Sequence, residues 1–327
     1  MITKERVKDI ILAADGKKIA VIGDVMLDRY FWGTVTRVSP EAPVPVIDLE
    51  EETWHLGGAA NVALNLKTLG IQPVLCGLIG DDKNGTLFKE LANDSWLLTD
   101  GLFSDHSRPT TVKMRIIGNN QQIARLDKES RDEMSADGMK FILDALRNID
   151  GLSGIIMEDY NKGVINKNLI EQTMAFAKEN NIPVFVDPKF NNFFEYKGAT
   201  LFKPNKKEAG HALGYDLKND SDIIRAAKEI LTKLDCQSTL ITLGAEGMML
   251  LEKNQIPFFD RAKAKNVADV SGAGDTCIAT FAMAVTGGAT LKEATVISNY
   301  ASSVVVSEPG IIAIQKNILL DNFDETY

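Results

Sequence analysis

The sequence predicts an α/β fold: a central, mainly parallel sheet flanked by helices, with a small β-sheet lid over one end. Three observations predict it. Short β-branched apolar runs that end on small or acidic residues alternate with segments of helical period, the pattern of right-handed βαβ units. Two segments, about 31–56 and 108–127, break that alternation: both have strand composition and neither carries a helix. No internal repeat or low-complexity linker divides the chain, so residues 1–327 are expected to form one domain with an inserted lid.

Taken in order, KKIAVIGD (17–24) is a buried strand, and the proline-containing FWGTVTRVSPEAPVPVIDLEEETW (31–54) belongs to the lid. NVALNLKTLG has helical period, and PVLCGLIGD (73–81) is the next strand. TTVKMRIIGNNQQIARLD (110–127) reads as a hairpin turning around Gly118-Asn119-Asn120, residues that accept positive φ. SGIIMEDY (153–160), PVFVD (183–187), ATLFKPN (199–205) and STLITLG (238–244) read as strands, with NLIEQTMAFAKEN and SDIIRAAKEILTKL as helices among them. The alternative for the two lid segments is that they extend the edges of the main sheet.

Charge and composition exclude several functions. A formal charge of −9 argues against non-specific nucleic-acid binding, which needs basic surface to replace the counterions of the phosphates. No run of about 18 apolar residues is present to cross a bilayer, and the charged, amphipathic N-terminus lacks the apolar core of a secretion signal. Cys76, Cys236 and Cys277 are too few and too scattered for a disulfide framework or a zinc site. A cytoplasmic protein is expected.

The residues that carry chemistry lie in NVADVSGAGDTCIATFAMAV (266–285). Gly272-Ala273-Gly274 opens a helical segment, and a glycine-rich turn at a helix start points N–H groups and the positive end of the helix dipole at an anion. Such a turn can hold charge on a transferring phosphoryl group. Asp275 follows within the first helical turn, where a carboxylate can accept the proton of an attacking hydroxyl. Standing alone, Asp275 would read as a carboxylate that complements the dipole; the Gly-Ala-Gly before it and Asp269 upstream favour the catalytic role. There is no Walker motif and no His-Arg-Asp catalytic loop, and GDVMLDRY after the first strand lacks Gly-x-Gly-x-x-Gly.

DVSGAGDT resembles the signature of the ribokinase-like (phosphofructokinase-B type) sugar kinases. Two more motifs of that family occur in order: Gly57-Gly58-Ala59-Ala60-Asn61 near the start and Asn205-Lys206-Lys207-Glu208 after the strand ATLFKPN. The resemblance implies a ribokinase-like fold and an ATP-dependent enzyme with Asp275 as base and the amides of Gly272, Ala273 and Gly274 as anion hole. It implies that Asn205 and Glu208 organise Mg²⁺ and its waters, that Thr242, Gly244 and Gly247 touch the nucleotide, and that Asp269 stands where relatives hold a monovalent cation such as K⁺. A non-catalytic relative would be expected to have lost one of these motifs.

GDVMLDRYFWG (23–33), TRVSPEAPVPV (36–46), GGAANVALNL (57–66), RLD (125–127) and DPK (187–189) are similar to the heptose-7-phosphate kinases of lipopolysaccharide precursor synthesis. That resemblance implies phosphorylation of the anomeric hydroxyl of D-glycero-D-manno-heptose 7-phosphate to the 1,7-bisphosphate. Charge placement adds to it: Arg29, Arg37, Lys113, Arg115 and Arg125 cluster in the lid segments and could grip a phosphate. Asp24, Asp28, Gly58, Asn61, Asp127 and Asp159 are the candidates for the sugar hydroxyls, Asp24 and Asp159 because they follow buried strands. Glu158, where a small residue is expected, Cys277 and SEPGIIAI (307–314) depart from the pattern. No His-x-Gly-His motif is present, so nucleotidyl transfer is expected from a separate protein. Exposed strand edges on a lid call for a cover, and a homodimer packed lid to lid would supply it.

Overall fold

The computed structural model describes residues 2–261, 270–308, 310, 312–321 and 323. Helix α1 (Lys4–Ala14) starts where the Thr3 hydroxyl accepts the Arg6 N–H, and it buries Val7, Ile10, Ile11 and Ala14. Strand β1 (Lys18–Gly23) is central; Ile19 and Val21 face one hydrophobic cluster and Ala20 and Ile22 the other, as a period of two requires. After the single residue Asp24 the chain runs on as β2 (Val25–Val38) and returns antiparallel as β3 (Pro45–Gly58). Gly58, at φ 59°, turns the chain into α2 (Ala59–Thr68); a Cβ there would stand 2.3 Å from the Asp24 carbonyl oxygen.

Strand β4 (Gln72–Gly80), α3 (Lys83–Asp94) and β5 (Leu98–Asp105) extend the main sheet. Strands β6 (Val112–Gly118) and β7 (Gln121–Lys128) form the expected hairpin, with Asn119 and Asn120 at φ 52° and 62° supplying its two-residue turn. The body resumes with α4 (Ala136–Arg147), β8 (Leu152–Glu158), α5 (Lys167–Glu179), β9 (Val184–Asp187), β10 (Leu201–Phe202), α6 (Lys206–Leu213) and α7 (Asp220–Leu234). It closes with β11 (Ser238–Thr242), β12 (Met248–Glu252), β13 (Phe258–Asp260), α8 (Ala273–Thr286), α9 (Leu291–Val305) and α10 (Lys316–Asp321).

Among the described residues the main sheet runs β13-β12-β11-β10-β9-β8-β1-β4-β5, parallel except at β12, which is antiparallel to both its neighbours. One core cluster joins the sheet to α1, α2, α3, α8 and α9, the other to α4, α5 and α7, giving helix, sheet and helix layers. The lid is a separate four-stranded sheet, β3-β2-β6-β7, whose middle pair is parallel, so its segments are not edge additions.

Three details differ from the sequence reading. The lid begins at Val25 rather than near 31, because β2 continues the line of β1 with one residue between them. The strand expected over 199–205 shrinks to Leu201–Phe202, since Pro204 has no N–H and Asn205 already caps a helix. The antiparallel edge β12–β13 departs from the βαβ alternation, because only a single 3₁₀ turn, Gly244–Glu246, stands between β11 and β12.

Candidate active site

Strands β8 and β9 end side by side, with Glu158 and Asp187 as register partners, so their side chains leave the same face of the sheet. The N-terminus of α8 arrives above them and adds Asp275; Glu158, Asp187 and Asp275 each offer a carboxylate oxygen, all within 4.8 Å of one another. Lys203, nearly as buried, gives its ammonium to Asp187 at 2.7 Å. One ammonium against three carboxylates leaves excess negative charge in a desolvated place, and proton affinities rise to meet it. Burial pushes Asp275 up to about 6, the Asn61 bond opposing and Asp187 adding to the rise. Burial, Asp187 and Asp275 hold Glu158 well above the usual carboxylate range, and among the described residues its Oε2 has no hydrogen-bond partner. Burial works against the Lys203 ammonium, but Asp187, Cys277 and Glu158 together outweigh it and raise its pKa.

Asp275 is 5% exposed and is held from two sides. Asn61 Nδ2, from α2, donates to its Oδ2 at 2.7 Å, and the Tyr160 hydroxyl, just beyond β8, donates to its Oδ1 at 3.0 Å. Gly272 stands before α8 at φ 78° and, being glycine, offers no side chain of its own to cap the helix. The Ala273 N–H reaches the Val270 carbonyl only at 3.4 Å.

Asp275 borders a cavity of about 530 Å³. Gly272, Ala273, Gly274, Asn205, Glu208, Thr242, Gly244 and Gly247 line it too, so every residue expected at the catalytic turn or the nucleotide is gathered in one place. Asn299, Ser302, Ser303 and Val306, from α9 and its end, complete the wall. Asn205 and Glu208 form a reciprocal capping box on α6: each backbone N–H donates to the other's side chain at 2.8 Å. The second Glu208 oxygen pairs with Lys189. Asp269 lies outside the described residues.

The ten residues expected at the sugar divide differently, and none of them lines this cavity. Asn61 holds the Asp275 carboxylate. Lys113 puts its ammonium 4.9 Å from the centre of the Tyr160 ring, its pKa lowered by burial against the pull of Asp28. Asp28 is buried and ion-paired with Arg115, beneath Gly57, where a Cβ would stand 2.1 Å from its Oδ2. Gly58 makes the turn already described.

Asp24 and Asp159 have other occupations. Asp24 accepts the backbone N–H groups of Tyr160, Lys162 and Val164 at 2.7, 3.1 and 3.1 Å, and burial with Asp159 nearby pushes it up to about 6. Asp159 accepts from the Asn161 N–H, Asn192 Nδ2 and the Tyr196 hydroxyl at 2.8, 3.1 and 2.8 Å. Both carboxylates bind the chain itself. Arg125 and Asp127 pair with each other at 3.0 Å on the exposed strand β7. Arg37 is exposed nine positions beyond Asp28 on β2, roughly 30 Å along the strand at its usual rise. Arg29 pairs with Glu52 and stacks on Phe31 and Trp54.

Sequence reasoning missed Tyr160, Asp187, Lys189 and Lys203 as site residues. A lysine inside the apolar run LFKPN, and an acid closing the strand PVFVD, were the signals available.

Comparison with known proteins gives consistent results. The family model described as "pfkB family carbohydrate kinase" matches residues 16–317. The chain is 43% identical over 300 residues to "Bifunctional protein HldE" of a Nitratiruptor species, covering 90% of this chain and 62% of that protein. It is 39% identical over 300 residues to the protein of the same name from Desulfatibacillum aliphaticivorans, covering 91% and 61%. The chain therefore spans about three fifths of the length of these relatives. Among solved structures, Arabidopsis thaliana ribokinase complexed with ribose and ATP superposes with a TM-score of 0.75 at 21% identity, covering 95% of this chain and 100% of that one. Phosphofructokinase-2 from Escherichia coli in complex with fructose-6-phosphate gives 0.74 at 16% identity, covering 94% and 97%.

Proposed function

Because this chain belongs to the pfkB family of carbohydrate kinases, we propose that it transfers the γ-phosphoryl group of ATP to the anomeric hydroxyl of D-glycero-D-manno-heptose 7-phosphate, giving the 1,7-bisphosphate. The observation that carries this reading is the placement of Asp275. It is a buried carboxylate with raised proton affinity, at the start of α8, between a cavity lined by the nucleotide motifs and Asn61 of α2, the helix that follows lid strand β3. The substrate choice rests on the sequence similarity of the lid segments and on the HldE relatives.

Asp275 takes the proton of the attacking hydroxyl, and a proton affinity lifted toward neutrality suits a base that must be ionised before the step and protonated after it. The amides of Gly272–Gly274 and the N-terminal end of α8 face the charge that develops on the phosphoryl oxygens. Lys203 and Lys189 bring positive charge to the same cavity. Asn205 and Glu208 fit Mg²⁺ held through water, because the capping box and Lys189 already use the oxygens that direct coordination would need. Held there, Mg²⁺ would supply positive charge against that of the nucleotide phosphates, with Asn205 and Glu208 ordering its waters. Lys113 and Arg115 are the lid cations nearest this end, beside Asp28 and Tyr160. Further members of this reading are a single domain, a homodimer through the lid and a cytoplasmic location. Among the described residues no helix is long and apolar enough to cross a membrane.

The test is ATP-dependent product formation from heptose 7-phosphate, free heptose, fructose 6-phosphate and ribose, read by mass spectrometry. A bisphosphate from heptose 7-phosphate alone is expected; turnover of another sugar in its place would discard the substrate assignment. Asp275→Asn should lower turnover by about 10²–10⁴-fold while ATP still binds. Turnover near that of the wild type would remove Asp275 from the role of base.

A further inference from the structure

Tyr160 meets both the lid and the base, and no motif assigned it a role. Its backbone N–H is pinned by Asp24 at 2.7 Å, and the same carboxylate takes the N–H groups of Lys162 and Val164, so the turn after β8 is fixed from beneath. A second set of bonds fixes that turn from its far side. Arg108 donates to the Lys162 carbonyl, Lys162 Nζ pairs with Glu129 at 2.6 Å, and the Met134 N–H donates to the Gly163 carbonyl at 2.9 Å. The side chain so placed has two distinct ends. Its hydroxyl donates to Asp275 Oδ1 at 3.0 Å; its ring faces Lys113 Nζ of the lid at 4.9 Å and Lys189 Nζ of the body at 5.2 Å.

We propose that Tyr160 is a positioning residue for the reaction: its phenol orients the Asp275 carboxylate and its ring seats the lid's Lys113, so that base and lid are set against each other by one side chain. Asn61 occupies Oδ2 and Tyr160 occupies Oδ1, each with one donor. A carboxylate oxygen has two acceptor sites, so the sugar hydroxyl can reach Asp275 while both donors stay in place. The ring offers its negative face to both cations, one from the lid and one from the body. The proposal rests on the base assignment above.

Steady-state kinetics against pH, on whichever sugar phosphate the wild type consumes, test it. The groups facing Asp275 are Glu158 from β8, Asp187 from β9, Lys203 after β10, Asn61 from α2 and Tyr160 itself. Of these, only Tyr160 is changed in the variants. Tyr160→Phe keeps the ring and removes the donor. A donor to a carboxylate favours its charged form, so the acid limb of kcat/KM should move up by about one pH unit and kcat should fall about tenfold, with sugar KM near that of the wild type. Tyr160→Leu removes the ring as well and should add a rise in the KM for the sugar phosphate.

An unshifted acid limb in Tyr160→Phe, with its melting temperature preserved, would overturn the proposal even if Tyr160→Leu failed to fold. A fully active Asp275→Asn variant is a different result: it would take away the base, and this proposal with it.

Discussion

At the scale of single residues, the site shows what a buried carboxylate costs the fold. Asp275 binds its proton more tightly in the folded chain than in the unfolded one, so its contribution to stability falls as pH rises from about 4 through 6 and is least favourable above that. Asp24 acts with the same sign. His55 acts against both, because burial lowers its pKa and its neutral ring resists acid. The comparison of wild type with Asp275→Asn separates the contribution of Asp275. Between pH 7.5 and 5.5 the wild type should gain about 1 kcal/mol relative to the variant, read from denaturant unfolding at each pH. A difference independent of pH would mean that Asp275 has an ordinary proton affinity. The sequence located this residue because a glycine-rich turn marks its own place. It did not locate Tyr160, since a tyrosine after an acid at a strand end looks like any half-buried aromatic. An acid that closes a buried strand can hold a ligand or the chain itself: Asp24 accepts backbone N–H groups, and Asp159 accepts one backbone N–H and the side chains of Asn192 and Tyr196.

At the scale of elements, periodicity was enough wherever an element buries one face. Strands β1, β4, β8 and β9 and helices α2, α5 and α7 lie within a few residues of where their patterns put them. It failed where geometry depends on a turn rather than a face, as at β10, cut short by Pro204. Helix α6 is instructive because its Asn-x-x-Glu start is both a family motif and a capping box. The capping box and the proposed nucleotide handling therefore draw on the same two side chains, and a conservative change can separate them. Glu208→Gln keeps an acceptor for the Asn205 N–H but gives up the ion pair with Lys189, so the melting temperature should fall slightly. The same variant loses the charge that a hydrated Mg²⁺ would meet, so activity should require a higher Mg²⁺ concentration, read by titrating the ion. Glu208→Ala should also lose about 1 kcal/mol of stability through the broken cap. An unaltered Mg²⁺ requirement in Glu208→Gln would confine Glu208 to its structural part.

At the scale of the molecule, the lid carries most of what the sequence could not resolve. Its strand composition was plain, but the start at Val25 and the parallel pairing of β2 with β6 depend on contacts between distant segments. Val38, Val44, Leu49, Ile123 and Leu126 are exposed on the lid, and β7 is exposed along its length. A second lid would cover such a surface. Sedimentation of the wild type should show a dimer and that of Leu126→Glu a monomer; a monomeric wild type would remove the proposed assembly.

Helix α8 has a consequence that reaches beyond the reaction. It presents Asp275 at its first turn and buries nearly every residue from there to Thr286, between the sheet and the neighbouring helices. The segment that carries Asp275 thus also fills the middle of one core cluster. A chain cut short before Gly272 would lose Asp275 and the centre of that cluster together. Such a fragment would expose apolar surface, so loss of the proposed base by truncation there is also loss of the packed core.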